Sequence, residues 1–156
     1  MADEKRSKRH EDLLEAIYEV SQGKGYAKSR DIAAALCITP ATVTDGFKRL
    51  SDAGLVNYEP YGGVTLTEAG SSIARRTQDS HHIIRRLLEL SGVDPEIADT
   101  DACVMEHGLS PDSSTQLSRL VTFIETCLED ETSNQRFWQI IGSSTKKQPE
   151  IPKKKK

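Results

Sequence analysis

Thr39-Pro40-Ala41-Thr42-Val43-Thr44-Asp45-Gly46-Phe47-Lys48-Arg49-Leu50 is the stretch that decides how this chain is read. A threonine followed by proline is a helix start. The hydroxyl accepts one of the orphan N–H groups of the first turn, and proline at the first helical position sacrifices no hydrogen bond. Val43, Phe47 and Leu50 recur at i, i+4 and i+7, the apolar stripe of one helix running to about Ala53. Away from that stripe lie Ala41, Asp45 and Lys48, flanked by Thr42, Thr44 and Arg49. The stripe needs neighbours to bury it.

Those neighbours are legible on both sides. Upstream, Ser29 reads as the N-cap of a short alanine-rich helix through Leu36, so two short helices meet at a tight turn, the helix-turn-helix pattern. Residues 8–22 carry Leu13, Leu14, Ile17, Tyr18 and Val20 at helical spacing and are ended by Gly23 and Gly25. Downstream, Leu55-Val56-Asn57-Tyr58-Glu59 and Val64-Thr65-Leu66 flank Pro60-Tyr61-Gly62-Gly63, which reads as a β-hairpin and, in this position, as a wing. The expected fold is therefore mainly α: an N-terminal winged helix-turn-helix with a small β-hairpin wing, followed by an all-helical domain.

A winged helix of this composition is suited to double-stranded DNA. Small and hydroxylated residues at the start of the second helix (Thr39, Pro40, Ala41, Thr42, Thr44) let it enter a major groove, where base edges are read. Lys28, Arg30, Lys48 and Arg49 are candidates for phosphate contacts, which position a protein without reading sequence. Tyr61 and Gly62 at the wing tip are candidates for the backbone or minor groove. Asp45 repels phosphate but can accept a hydrogen bond from the amino group of cytosine. The same fold also serves protein–protein contacts, so fold alone does not decide.

The second half reads as helices. Thr67-Glu68 caps a long one ending near Ser91-Gly92, with Ile73, Ile83, Ile84, Leu87, Leu88 and Leu90 on its apolar side. Asp94-Pro95 and Ser110-Pro111 repeat the cap-plus-proline signal. The first is expected to open a helix holding Cys103, Glu106 and His107. At i, i+3 and i+4 these three leave from one helix face, and all are ligand types for divalent transition metals. Far upstream, Asp12 and Glu15 form an acidic pair at i, i+3. Taken singly, a cysteine is more often a buried small hydrophobe, and acids in a first turn often serve the helix dipole. The helix from Pro111 carries Leu117, Leu120, Val121, Phe123, Ile124, Cys127 and Leu128, a band wide enough to want a core or a partner subunit. With the long helix it is the candidate interface of a homodimer. Beyond Glu131 the chain reads as a polar tail interrupted by Phe137, Trp138, Ile140 and Ile141, with residues 143–156, ending in four lysines, expected to be disordered.

Bulk properties narrow the class. At 156 residues, with 36% hydrophobic and 29% charged side chains, the chain has room for two small domains, here 1–70 and 71–142. A formal net charge of −3 argues against coating nucleic acid unaided and points to a local or conditional DNA-binding surface. Three widely spaced cysteines form no disulfide framework and fit a reducing cytoplasm. No apolar run has the length of a membrane span, and the first residues lack a signal-peptide core. No Gly-rich or nucleophile-elbow motif suggests an enzyme.

Several motifs, in this order, resemble one family: Glu11-Asp12-x-x-Glu15-x-Ile17-Tyr18, the winged helix, Leu66-Thr67-x-x-Gly70, His81, Gly92-Val93-Asp94 and Cys103-x-x-Glu106-His107. The chain is similar over residues 8–130 to the metal-dependent repressors typified by the diphtheria toxin repressor and the manganese transport regulator. The resemblance implies a metal-dependent repressor of metal-ion homeostasis that binds operator DNA as a homodimer. It also implies that Asp12, Glu15, His81, Cys103, Glu106 and His107 hold the metal, with His82 structural. Manganese-type members carry acids at the positions of Asp12 and Cys103, and iron-type members carry methionine and cysteine there. This chain combines the acid of one branch with the cysteine of the other. The implied ion is Mn(II) or Fe(II), manganese being favoured by Asp12. The competing expectation is a winged-helix regulator answering to a small organic ligand or to thiol oxidation at Cys103.

Overall fold

The computed structural model describes residues 2–60 and 62–142, with side chains from Lys8 onward. Tyr61 of the wing tip and the Lys-rich segment 143–156 lie outside the described residues. The chain forms two compact units, Met1–Gln78 and Asp79–Lys156.

In the first unit α1 (Ala2–Ser21), α2 (Ser29–Ala35) and α3 (Pro40–Asp52) precede the hairpin β1 (Val56–Glu59) and β2 (Gly63–Leu66). The strands pair antiparallel, with Val56 opposite Leu66 and Tyr58 opposite Val64. The expected α3 stripe is the centre of the core: Val43, Phe47 and Leu50 are fully buried, together with Leu14, Ile17 and Ile32. Thr39 caps α3 as its sequence predicts, its Oγ1 accepting from Thr42 N at 3.2 Å. Pro40 follows at the start of the helix.

The cap of α2 differs from expectation. Lys28, with extended backbone, occupies the N-cap position, and Ser29 is the first helical residue. The physical reason is a strand-like contact that sequence periodicity does not reveal. Ala27 pairs with Val64 through reciprocal N–H···O bonds of 2.9 Å, which holds the chain extended up to Lys28. The wing thus has a third, single-residue rung.

The helix α4 (Glu68–Leu90) starts in the first unit and continues into the second. Thr67 Oγ1 accepts from Gly70 N at 3.1 Å and donates to Gly54 O at 2.9 Å, tying the helix start to the loop after α3.

In the second unit follow α5 (Pro95–Met105), a 3-10 turn over Glu106–Gly108, α6 (Pro111–Leu128) and α7 (Glu131–Ile141). Asp94 and Ser110 cap α5 and α6 as read, accepting from Glu96 N and Ser113 N. Two expectations are corrected. Glu106 and His107 stand in the 3-10 turn and not on the helix of Cys103. The segment from Glu131 is a helix and not a polar tail. Asp130 caps it, and Trp138 is buried while Phe137 packs on Leu90, Val121 and Leu128. Val121, Leu87 and Ile124 accordingly serve this unit's own core, whereas Leu120 and Phe123 remain exposed.

Candidate metal centre and nucleic-acid interface

Glu106 is the hub of the second unit's polar cluster. It is a carboxylate buried to 7% exposure, a position that requires partners. His81, from α4, places Nδ1 2.8 Å from Glu106 Oε2. His107 places Nε2 3.2 Å from the other oxygen, Oε1. Cys103 Sγ lies 3.8 Å from His81 Nδ1. His107 follows Glu106 within the 3-10 turn, and His81 approaches the same carboxylate from α4.

The donor chemistry, one thiol, one carboxylate and two imidazoles, is of the kind that binds divalent transition metals. Among the described residues no group of three or more such side chains is arranged to hold an ion as it stands. Glu106 is hydrogen-bonded to His81 and lies within ion-pair distance of His107. The same contacts would have to open for ligation. Asp12 and Glu15 stand one turn apart on α1 in the first unit, both partly buried, and both have polar partners.

The outer partners of His81 were not anticipated from the sequence. Its Nε2 is 3.3 Å from Asp99 Oδ1, and Arg85 donates to the same oxygen at 3.0 Å. Helical spacing held the signal: Asp99 precedes Cys103 by four residues and Arg85 follows His81 by four, so each shares a face with a candidate ligand.

On the first unit, Ala41, Asp45, Lys48 and Arg49 are exposed along α3, and Thr44 is partly exposed. Lys48 Nζ lies 3.8 Å from Asp45 Oδ1, which offsets the negative charge that made Asp45 awkward beside phosphate. The hydroxyls at the helix start are tied locally. Thr39 and Thr42 share a 2.9 Å hydrogen bond, and Thr44 donates to Pro40 O at 2.9 Å. Ala41 is left as the small residue at the tip. Lys28 and Arg30 are exposed at the foot of the wing and line an open cleft of about 640 Å³ with Lys24, Tyr26, Tyr58 and Gly63. Lys24 and Tyr26 were missed. Lys24 stands in the turn after α1, and Tyr26 and Lys28 flank Ala27, the one residue here that pairs with β2. Gly62 is exposed at the turn, its N–H donating to Glu59 O.

Family models match both halves of the chain. Residues 5–64 match the N-terminal DNA-binding domain of iron-dependent repressors, and residues 67–133 match their metal-binding and dimerisation domain. The chain belongs to the iron-dependent repressor family. It is 37% identical over 115 residues to the HTH-type transcriptional regulator MntR of Lysinibacillus sphaericus, covering 74% of this chain and 83% of that one. An HTH-type transcriptional regulator of Methanocaldococcus jannaschii is 41% identical over 117 residues, covering 74% and 91%. Among solved structures, IdeR of T. acidophilum matches with a TM-score of 0.60 at 29% identity, over 69% of this chain and 51% of that one. The manganese regulator SloR matches with a TM-score of 0.65 at 24% identity, over 73% and 54%, which speaks to the fold alone. As a member of the iron-dependent repressor family, the protein is a metal-dependent, DNA-binding transcriptional regulator. Within that family the winged helix is the DNA-binding half, and the helical half binds metal and dimerises. No helix among the described residues is long and apolar enough to cross a membrane.

Proposed function

We propose that this regulator is a cytoplasmic repressor of metal-ion homeostasis genes whose operator affinity is raised by Mn(II) or Fe(II), and that it is not an enzyme. The observation that carries the reading is the meeting of His81 and His107 on the buried carboxylate of Glu106, with Cys103 beside His81, inside the segment matching the family's metal-binding domain. The choice of metal rests on relatives named as manganese regulators, on the iron-dependent family model and on the donor set. Carboxylates and imidazoles suit Mn(II) and Fe(II), while the thiol of Cys103 leans toward softer ions.

The proposed ligand set draws Asp12 and Glu15 from the first unit and His81, Cys103, Glu106 and His107 from the second. The support for Asp12 and Glu15 is their place in the family motif, their helical spacing and their acidity. A bound divalent cation supplies positive charge that offsets these carboxylates. Asp12 and Glu15 on one helix, and Glu106 elsewhere in the chain, repel one another when brought together unneutralised. Neutralised, they hold α1, on which the core of the winged helix is built. Ala41, Thr42, Thr44, Asp45, Lys48 and Arg49, with Thr39 and Pro40 at the helix start, are proposed to enter the major groove or meet its flanking phosphates. Lys28 and Arg30, with Tyr61 and Gly62 of the wing, are proposed to hold backbone. In a dimer two such heads must match half-sites about 34–36 Å apart, so ordering the heads changes affinity.

Metal titration followed by thermal unfolding tests this reading. A specific ion stabilises the folded state by RT ln(1 + [L]/Kd), about 2.7 kcal/mol at a hundredfold excess over Kd. The wild-type melting temperature is expected to rise with Mn(II) and, anaerobically, with Fe(II), and the rise to vanish in Glu106→Gln. Absence of stabilisation by either ion would favour a regulator answering to an organic ligand or to oxidation of Cys103.

A further inference from the structure

We propose that Asp99 is a positioning residue for the metal ligand His81, itself held by Arg85, and that together they assign Nδ1 as the nitrogen that binds the ion. The inference rests on the reading of His81 as a ligand. A neutral imidazole has one N–H and one lone pair, and only the lone pair can bind a metal. The hydrogen bond made by the other nitrogen decides which is which.

At His81 the two nitrogens face different groups. Nε2 is 3.3 Å from Asp99 Oδ1, a pure acceptor when ionised, so this nitrogen can keep its proton when Nδ1 exchanges its contact with Glu106 for an ion. Nδ1 faces the candidate ligands, 2.8 Å from Glu106 Oε2 and 3.8 Å from Cys103 Sγ. Asp99 does not act alone. Arg85 donates from Nη1 to the same Oδ1 at 3.0 Å and from Nε to Glu89 Oε1 at 3.0 Å, which fixes the guanidinium between two carboxylates. Glu89 in turn accepts from Arg86 at 3.3 Å, and Arg86 donates to Glu125 of α6 at 2.6 Å. The His81 ring is thereby oriented from the side opposite the candidate ligands, with only 14% of its side chain exposed. Partners of this kind hold a ligand's tautomer and raise its basicity, and their loss typically lowers metal affinity roughly 10–100-fold.

A purely structural role predicts something else. Asp99 is half exposed, and an ion pair at such a site contributes little to folding. Asp99→Ala should therefore leave the melting temperature of the metal-free protein within a few degrees of wild type. It should weaken Mn(II) or Co(II) binding, measured by calorimetry on the full chain, by roughly 10–100-fold. Asp99→Asn keeps an acceptor oxygen and should recover most of that affinity. In the Zn(II)-loaded wild type, ring nitrogen–proton correlation spectra should show His81 protonated on Nε2 and coordinated through Nδ1.

Glu106→Gln, run in parallel, separates the two readings. If wild type binds metal and Glu106→Gln does not, yet Asp99→Ala binds as tightly as wild type, the positioning role is overturned and the metal site stands. A spectrum with His81 protonated on Nδ1 overturns it likewise. A wild type that binds none of these ions overturns both.

Discussion

Gly70 lies where α4 passes the backbone of Leu55, and a Cβ there would collide with that carbonyl oxygen, which cannot rotate away. At Gly46 on α3 the obstacle is Leu13 Cδ1, 2.5 Å from the added carbon, the end of a side chain with other rotamers. Gly70→Ala is therefore expected to destabilise the protein by about 3 kcal/mol and Gly46→Ala by about 1 kcal/mol in urea unfolding, within the usual range for overpacking. Equal losses would contradict this account of the packing. Phe47, fully buried against Tyr58 at a ring separation of 5.5 Å, should lose about 3–5 kcal/mol on truncation to alanine. At this scale the core was open to reading because Val43, Phe47 and Leu50 follow a helical period that only burial explains. The partners of His81 were not. Asp99 and Arg85 are ordinary surface types; helical spacing puts each on the face of a candidate ligand, but that they meet each other and His81 across α4 and α5 is a tertiary fact that spacing does not encode.

Helix starts were the most legible elements. Thr39, Asp94 and Ser110, each followed by proline, cap α3, α5 and α6 through their side chains. Where tertiary contacts set the boundary, the reading failed. The Ala27–Val64 pairing moved the cap of α2 from Ser29 to Lys28. The last turn of α5 tightened before Gly108 into the 3-10 form that carries Glu106 and His107. The helix α7 escaped notice because its apolar side is only Phe137, Trp138 and its neighbours, enough to dock on α4 and α6 but too sparse to register as a stripe. Its cap gives a pH-dependent prediction. Asp130 accepts from Ser133 N at 2.8 Å, and that bond, helped by the Ser133 hydroxyl, holds its carboxyl below the usual range. A carboxyl depressed in the folded state contributes stability above its unfolded value and loses it as pH falls through the folded one. Asp130→Ala should thus melt below wild type at pH 7, with the difference shrinking below about pH 4. A constant difference down to pH 2 would show that the ionised cap is not the cause.

The protein as a whole is a regulator with a DNA-binding half and a metal-binding, dimerising half, and its function depends on the two being linked. Much of that was legible, because family motifs are spread along the chain in order, from Glu11 and Asp12 to Glu106 and His107. The expected dimer face follows from what the core leaves over. Val121, Leu87 and Ile124 turn into their own core, leaving Leu120 at 46% and Phe123 at 66% exposure as the apolar residues of α6 available to a second copy. Phe123→Asp is expected to shift the protein toward monomer in sedimentation while the metal-free fold persists; an unchanged dimer would move the interface elsewhere. The metal-to-DNA link itself is most directly measured as operator affinity, by fluorescence anisotropy on a fragment of the protein's own promoter, with Mn(II) and then with excess chelator at one salt concentration. The expected result is a roughly 5–150-fold tighter complex with the ion, equivalent to a coupling of about 1–3 kcal/mol. Equal affinity under both conditions, with the metal shown to be bound, would contradict it.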